Sequence, residues 1–359
     1  MAPLSTQRLR RIFRRLISAA RQYEASPLTL LGRMAWLRAS RGLGLDEALF
    51  MGVLDPRVPA RHAAELVSRR DFVRVLRQFN GSGKELVDDK AIFYPHCVGC
   101  GLPIPPAIVF VNPPLGVTAA GRLLSTECEW RGFISDELPA AFVVKPATGA
   151  EGRLVEIWER SADHFLSAGR LLDAEHLWRR LCVEATYGRA IVQGRLKNHP
   201  ALAALSGTDA LQCTRIVTIV TRAGKVEILY AFQKLIAAGN HVDDFVGAEG
   251  NVLTCIDPAV GKLATAFIKS GERPSYTTCE AHPLTGRQLA GFELPHWQGA
   301  CALVRRAATR FLPLRAIGWD VALTSEGPVL VEGNTEWVSF TDSGFWYTDD
   351  DLARLQRLL

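Results

Sequence analysis

The sequence specifies a mixed α+β protein that opens with a helical region. Hydrophobic residues fill 48% of the 359 positions and charged residues 22%, which supplies a large core and enough length for two domains. Up to about residue 80, apolar positions recur at helical spacing; beyond it short β-branched and aromatic runs dominate, with helical stretches between only some of them. The strict strand-helix alternation of a doubly wound parallel sheet is missing.

Leu9, Ile12, Phe13, Leu16, Ile17 and Ala20 form one stripe of an amphipathic helix whose other positions are largely arginine. Helical periodicity continues over 28–43, 46–54 and 60–79, punctuated by Gly42, Gly44 and Pro56, and Asn80-Gly-Ser-Gly-Lys84 closes the region. Strands are expected over 107–111, 141–145, 154–158, 190–196, 215–221, 226–233, 252–256, 317–323 and 329–332, with helices over 174–185, 296–311 and 350–358. There is no internal repeat.

The net charge of +5 is unevenly placed: residues 1–41 carry nine arginines against Glu24 alone, about +8, which leaves the rest at −3. A membrane surface or an acidic partner suits such an end, and so does ordinary packing of the apolar stripe. Nucleic acid is not expected, because no aromatic-basic interleaving accompanies the charge. No apolar run approaches the roughly 18 residues of a membrane-spanning helix. The eight cysteines follow no secretory pattern, so reduced thiols and a cytoplasmic location are expected. Cys97-Val-Gly-Cys100 is a lone CxxC without the second ligand pair a structural zinc needs. Ser206 and Ser270 lack the surroundings of a hydrolytic nucleophile.

Chemistry concentrates in two places. Ile317-Gly-Trp-Asp-Val-Ala-Leu and Val329-Leu-Val-Glu-Gly-Asn334 read as a hairpin across Thr324-Ser-Glu-Gly-Pro328. Glu332 and Asn334 share a face, and Asp320 can join them from the neighbouring strand. Three hard oxygen ligands on an apolar sheet suit Mg²⁺ beside nucleotide phosphates; the alternative is a strand-end cap and the start of a loop. In Phe142-Val-Val-Lys-Pro146 a lysine ends an apolar strand and enters a loop with Gly149 and Gly152, where backbone and cation can meet a phosphate. The chain has eight lysines against 34 arginines, so a lysine in an apolar strand is unusual here; a snorkelling strand-end lysine is the alternative.

The order of Lys90, the Lys145 strand and its loop, Ile191-Val-Gln-Gly194, Thr214-Arg-Ile-Val-Thr218 and the Asp320, Glu332, Asn334 set resembles the ATP-grasp superfamily, and more narrowly its sugar-transfer-associated, hexapeptide-transferase-related branch, over roughly residues 84–340. That resemblance implies two α+β subdomains clasping ATP, over 84–200 (with a lid) and 201–359 (with the metal), after a helical region at 1–83. It implies Lys90 and Lys145 on the phosphates, a lid at 148–153 with Thr148, Gly149 and Gly152, and an adenine hinge of Gln193, Gly194, Arg195 and Leu196. It further implies Arg215 at the transferred phosphate or a substrate carboxylate, and Mg²⁺ on Asp320, Glu332 and Asn334. Asn198, His199 and Asp209 are alternatives for the ribose.

Where the branch commonly has Asp-Asn and a glycine pair, this chain has Asp243 and Asp244, placed near substrate with Glu336, Trp337 and Asp342. His199 and His241 are the histidines that could take a proton from an attacking amine, and His241 is the catalytic choice. The implied enzyme is an ADP-forming carboxylate-amine ligase that makes an amide or peptide bond through an acyl phosphate. Its substrates would be ATP and a small carboxylate plus an amine, from amino acid, peptide or sugar-linked compounds. The alternatives are a small-molecule kinase on the same scaffold and a nucleotide-binding module without catalysis. Residues 239–251 and 271–291 would choose the acceptor, and the 9–20 stripe could serve a homodimer.

Overall fold

The computed structural model describes residues 6–149, 154–237, 239–240, 242–245, 248–269, 276–338 and 347–359. Gly152, Arg153, His241, Ser270 and Asp342 lie outside them. Helices α1 (Thr6–Gln22), α2 (Pro27–Arg41), α3 (Leu45–Phe50), α4 (Ala60–Ala64), α5 (Arg69–Asn80), α6 (Glu85–Asp88) and α7 (Lys90–Gly99) lead into β1 (Ala107–Asn112), β2 (Leu115–Thr118) and β3 (Leu123–Leu124). Next come α8 (Glu127–Asp136), β4 (Ala141–Pro146), β5 (Glu156–Ser161), β6 (His164–Ser167), β7 (Arg170–Leu172), α9 (Ala174–Trp178) with a π turn over Arg179–Val183, β8 (Ala190–Gly194) and α10 (Pro200–Ser206). The chain continues through β9 (Cys213–Val220), β10 (Val226–Leu235), β11 (Val252–Asp257), β12 (Lys262–Lys269), β13 (Tyr276–Cys279), α11 (Trp297–Arg310), β14 (Ala316–Thr324), β15 (Gly327–Asn334) and α12 (Asp349–Leu358).

The strands form two antiparallel sheets, ordered β3-β2-β1-β8-β4-β5-β6-β7 and β13-β12-β11-β10-β9-β14-β15. Alternation along β9 decides what covers the second sheet. Ile216 and Val220 point into a core shared with α7 and α11, while Val217 and Ile219 point into a core shared with α1, α2 and α5. Arg215 is on the Val217 side. A third core holds β4, β5, α8 and α9 together around Trp130, Phe142 and Trp158.

Local chemistry explains the helix ends that matter for position. Ser26 caps α2 by accepting from the Thr29 amide, Pro27 follows it, and Gly42 closes the helix in the left-handed region (φ 68°). Ser68 caps α5. The Asn80 carboxamide then bonds Ala316 in both directions, giving to its carbonyl at 2.9 Å and accepting from its amide at 2.9 Å, so α5 is pinned to β14.

The α+β class and the helical opening are as the sequence requires, with corrections in detail. The expected helix at 60–79 breaks into α4 and α5 around a bridge at Leu66, and the one expected at 46–54 stops at Phe50. The strand expected from 154 begins at Glu156. β2, β3, β6 and β7 are too short to carry a periodic signal, and Ala264, Thr265 and Ala266 dilute that of β12. Of the stripe offered for a homodimer, Leu16 and Ala20 are buried with Ala19 in the core of the helical layer, while Phe13 is exposed. Among the described residues no helix is long and apolar enough to cross a membrane.

Candidate functional site

A cavity of about 430 Å³ opens between the two sheets, lined from the first by Val143, Lys145, Ile157 and Gln193 and from the second by Arg215, Lys234, Asp320 and Glu332. Lys90, Thr148, Gly149, Arg195, Leu196, Asp243, Asp244, Asn334 and Glu336 also line it. Of the described residues singled out from sequence for the site, Gly194 and the ribose alternatives Asn198, His199 and Asp209 are not on the wall, and none of residues 276–291 reaches it.

Lys90 is held at the start of α7. The Asp89 side chain caps the helix at the Ala91 amide (2.8 Å) and pairs with Arg189 (2.7 Å), while the Lys90 amide donates to the Ala147 carbonyl (2.7 Å). These contacts tie the helix to the segment after β4. The Lys90 ammonium lies 3.1 Å from Glu332 and 3.3 Å from the Gly149 carbonyl.

Lys145 is buried on β4 and its amine donates to the Tyr94 hydroxyl at 2.9 Å; that hydroxyl donates in turn to Gln193 Oε1 at 2.7 Å. Burial, reinforced by the charge of Lys90, lowers the Lys145 amine to about 8. Its acid form is therefore expensive in the free protein. Below pH 8 the folded and unfolded chains both hold the proton and the full cost is felt; between about 8 and 10.5 the folded chain has shed a proton that the unfolded chain keeps, so this group favours folding more as pH rises. Lys145→Met is expected to melt above the wild type at pH 7, with a gap that narrows as pH climbs through 8 to 10, while its affinity for ATP falls at least tenfold. Melting curves across that range and nucleotide titration check both; a gap independent of pH would remove the assigned charge state.

On the second sheet the register sets Asp320 opposite both Arg215 on β9 and Glu332 on β15. Arg215 forks onto Asp320 through Nε (2.6 Å) and Nη2 (2.9 Å), and Lys234 reaches the same carboxylate at 3.2 Å. Burial alone would raise the Asp320 carboxyl, but Arg215 and Lys234 outweigh it and hold it far below the usual range. Burial likewise opposes the charge on Arg215 and Lys234; Asp320 reverses this at Arg215, and Asp243 with Asp320 at Lys234, so both cations are held above their ordinary values. Asp243 accepts from the Cys213 amide at 2.8 Å, and burial leaves its carboxyl raised despite Lys234.

β15 bulges at this point. Asp320 pairs Glu332 but Val321 pairs Leu330, so Val331 is the extra residue and the strand is re-aimed where Glu332 and Asn334 emerge. Gly333 between them is a packing necessity: a Cβ there would lie 2.8 Å from Val87 Cγ1. Gly318, opposite Asn334, leaves room for Trp337 and Arg215, which a Cβ would meet at 3.0 and 3.3 Å.

Among the described residues no group of three or more acid, histidine or cysteine side chains could hold a metal ion. The site offers two carboxylates and one amide, with Asn334 Nδ2 buried and without a partner among the described residues, and each carboxylate is already paired with a cation. Such a set fits Mg²⁺ arriving with phosphates, which supply the remaining ligands; it does not fit an all-protein cage.

Other expectations resolve into structure. His199 caps α10, accepting from the Ala201 amide, and Asn198 is spent on the Ala210 carbonyl and the Gln212 amide. Asp209 pairs with Arg195 at 3.2 Å. Cys97 and Cys100 are free thiols, with the Cys100 sulfur 3.7 Å from His96 Nε2. Glu336 is held by Arg69 (3.0 Å) and Arg77 (3.3 Å) of α5.

Two site residues were not foreseen. Tyr94 carried no signal beyond its place in an apolar run. Lys234 did carry one, since it interrupts Ala231-Phe-Gln-Lys-Leu-Ile236 and the scarcity of lysine that marks Lys145 applies to it equally.

A family model described as sugar-transfer associated ATP-grasp matches residues 70–342. No functionally curated protein matches. Similar solved structures include an L-amino acid ligase from Bacillus licheniformis, 12% identical, covering 72% of this chain and 42% of that one with a TM-score of 0.39. Another is a biotin carboxylase from Campylobacter jejuni, 11% identical, with coverages of 72% and 43% and a TM-score of 0.39. A RimK-domain ATP-grasp protein from Sphaerobacter thermophilus is 14% identical, with coverages of 70% and 60% and a TM-score of 0.31. The chain thus spans less than two thirds of the length of each.

Proposed function

The chain belongs to the sugar-transfer associated ATP-grasp family, and from that premise we propose that it is an ADP-forming ligase joining a small carboxylate to an amine at the expense of ATP. The observation that carries this is the set of four cations, Lys90, Lys145, Arg215 and Lys234, gathered around one cavity with acids that nearly balance them. A nucleotide triphosphate with its metal would enter such a site without leaving a large net charge.

In this assignment Lys90 and Lys145 neutralise the phosphates, with Thr148 and Gly149 offering the near edge of a lid that includes Gly152. Backbone at Gln193, Arg195 and Leu196 holds the adenine, with Gly194 behind them giving its amide to the Pro106 carbonyl. Arg215 keeps Nε and Nη2 on Asp320, which leaves Nη1 for the substrate carboxylate and for the phosphoryl group it receives. Asp320, Glu332 and Asn334 would hold Mg²⁺. The ion would supply charge neutralisation between the phosphates.

The substrate carboxylate oxygen attacks the γ-phosphorus and ADP departs, giving an acyl phosphate. The amine then attacks the acyl carbon, phosphate leaves, and the amine's proton is assigned to His241, which the sequence sets two residues before Asp243. Asp243, Asp244 and Glu336 would face the acceptor.

The test is incubation with Mg-ATP and pools of amino acids, peptides and sugar-linked carboxylates and amines, read by mass and ³¹P NMR. ADP, free phosphate and a product lighter by one water than its precursors is the expected result. A phosphorylated product would make the protein a kinase, and nucleotide binding without turnover on any pool would favour a binding module.

A further inference from the structure

The helical layer leaves one face with no charge on it. On α2, Leu30 and Leu37 are buried, and the opposite face consists of Leu28, Leu31, Gly32, Ala35, Trp36 and Ala39, every one exposed. Leu28 is 79% exposed and Trp36 39%. A surface helix ordinarily turns its polar side outward, whereas α2 is apolar on its outer face as well as its inner one.

The neighbouring helix supplies the complement. Leu16, Ala19 and Ala20 of α1 enter the same core as Leu30 and Leu37, so the outer faces of both helices point away from it. The outer face of α1 presents Arg10, Phe13, Arg14 and Arg21, all exposed, and none of these arginines makes an ion pair with a described residue. Other arginines of the layer are engaged: Arg33 donates to the Val53 and Val58 carbonyls, and Arg41 to the Leu66 carbonyl and Asp349.

An apolar stripe with tryptophan and leucine beside a row of unpaired arginines has the layout of a surface that lies in the headgroup region of a bilayer, apolar side chains inserted and guanidinium groups on lipid phosphates. We infer that the outer face of α1 and α2 docks this protein on a membrane rich in anionic lipid. A second copy fits less well, because a two-fold contact through the stripe would bring the flanking arginines of both copies together. The inference does not depend on the reaction proposed above.

The test is co-sedimentation of the full chain with phosphatidylcholine vesicles, with and without phosphatidylglycerol. Recovery with the anionic vesicles, falling as salt rises, is expected. Arg10→Ala and Arg14→Ala should each lower the partition coefficient about fivefold, the effect of one basic residue near such a surface. Leu28→Glu with Leu31→Glu should abolish binding while the melting temperature and ATP binding stay those of the wild type. Equal recovery with neutral vesicles, or none with either, would overturn the inference. So would a dimer in light scattering that the Leu28→Glu, Leu31→Glu variant dissolves, since the stripe would then belong to a second copy.

Discussion

Asp320→Ala is expected to destabilise the protein by about 3–5 kcal/mol, the cost of stranding buried charge when one partner of a pair is removed. Arg215 and Lys234 both rest on this carboxylate in the interior, and both are held charged by it. Asp320→Asn keeps the shape but not the charge, and should lose most of the same stability. Urea unfolding followed by circular dichroism measures the difference. A loss below about 1 kcal/mol for Asp320→Ala would mean that the two cations find other partners, and the electrostatic account of the second sheet would fall.

The second large effect belongs to Glu332. It stands at the bulged end of β15, partly open to the cavity, facing Lys90. Glu332→Gln keeps a hydrogen-bonding side chain there, so the fold should survive with little change in melting temperature. Turnover of ATP should drop by about 10²–10³, the scale on which enzymes lose rate when one group stabilising a transition-state charge is removed. Asn334→Ala should behave alike. Turnover retained by both variants would remove the metal assignment while leaving the nucleotide assignment of the lysines intact.

What the sequence disclosed of this site follows from range. The β14–β15 hairpin is local, its apolar alternation is interrupted by Asp320, Glu332 and Asn334 within fifteen residues, and its pairing puts those residues together. The bulge at Val331 left no mark, because it changes direction without changing residue type. Lys145 was visible as a charge in an apolar strand, but its partner was not: Tyr94 is fifty-one residues away and reaches it through the packing of α7 between the sheets. The link between Glu336 and Arg69 spans 267 residues and involves exposed charges of the commonest kind, which no spacing rule singles out. The class of fold was legible from the shift in periodicity near residue 80. The two-to-four-residue strands at the edge of the first sheet were not, since they borrow order from their neighbours.

The core that the N-terminal helices share with Val217, Ile219, Ala316 and Trp337 has a consequence for anyone cutting this gene into pieces. A fragment starting after the Asn80–Lys84 break would keep every residue on the cavity wall, yet it would bare one face of the second sheet and release Glu336 from α5. Trp337, which rests on Phe72 at 5.5 Å, would lose its backing as well. The smallest portion able to stand alone with this cavity therefore includes helices that contribute no residue to its wall.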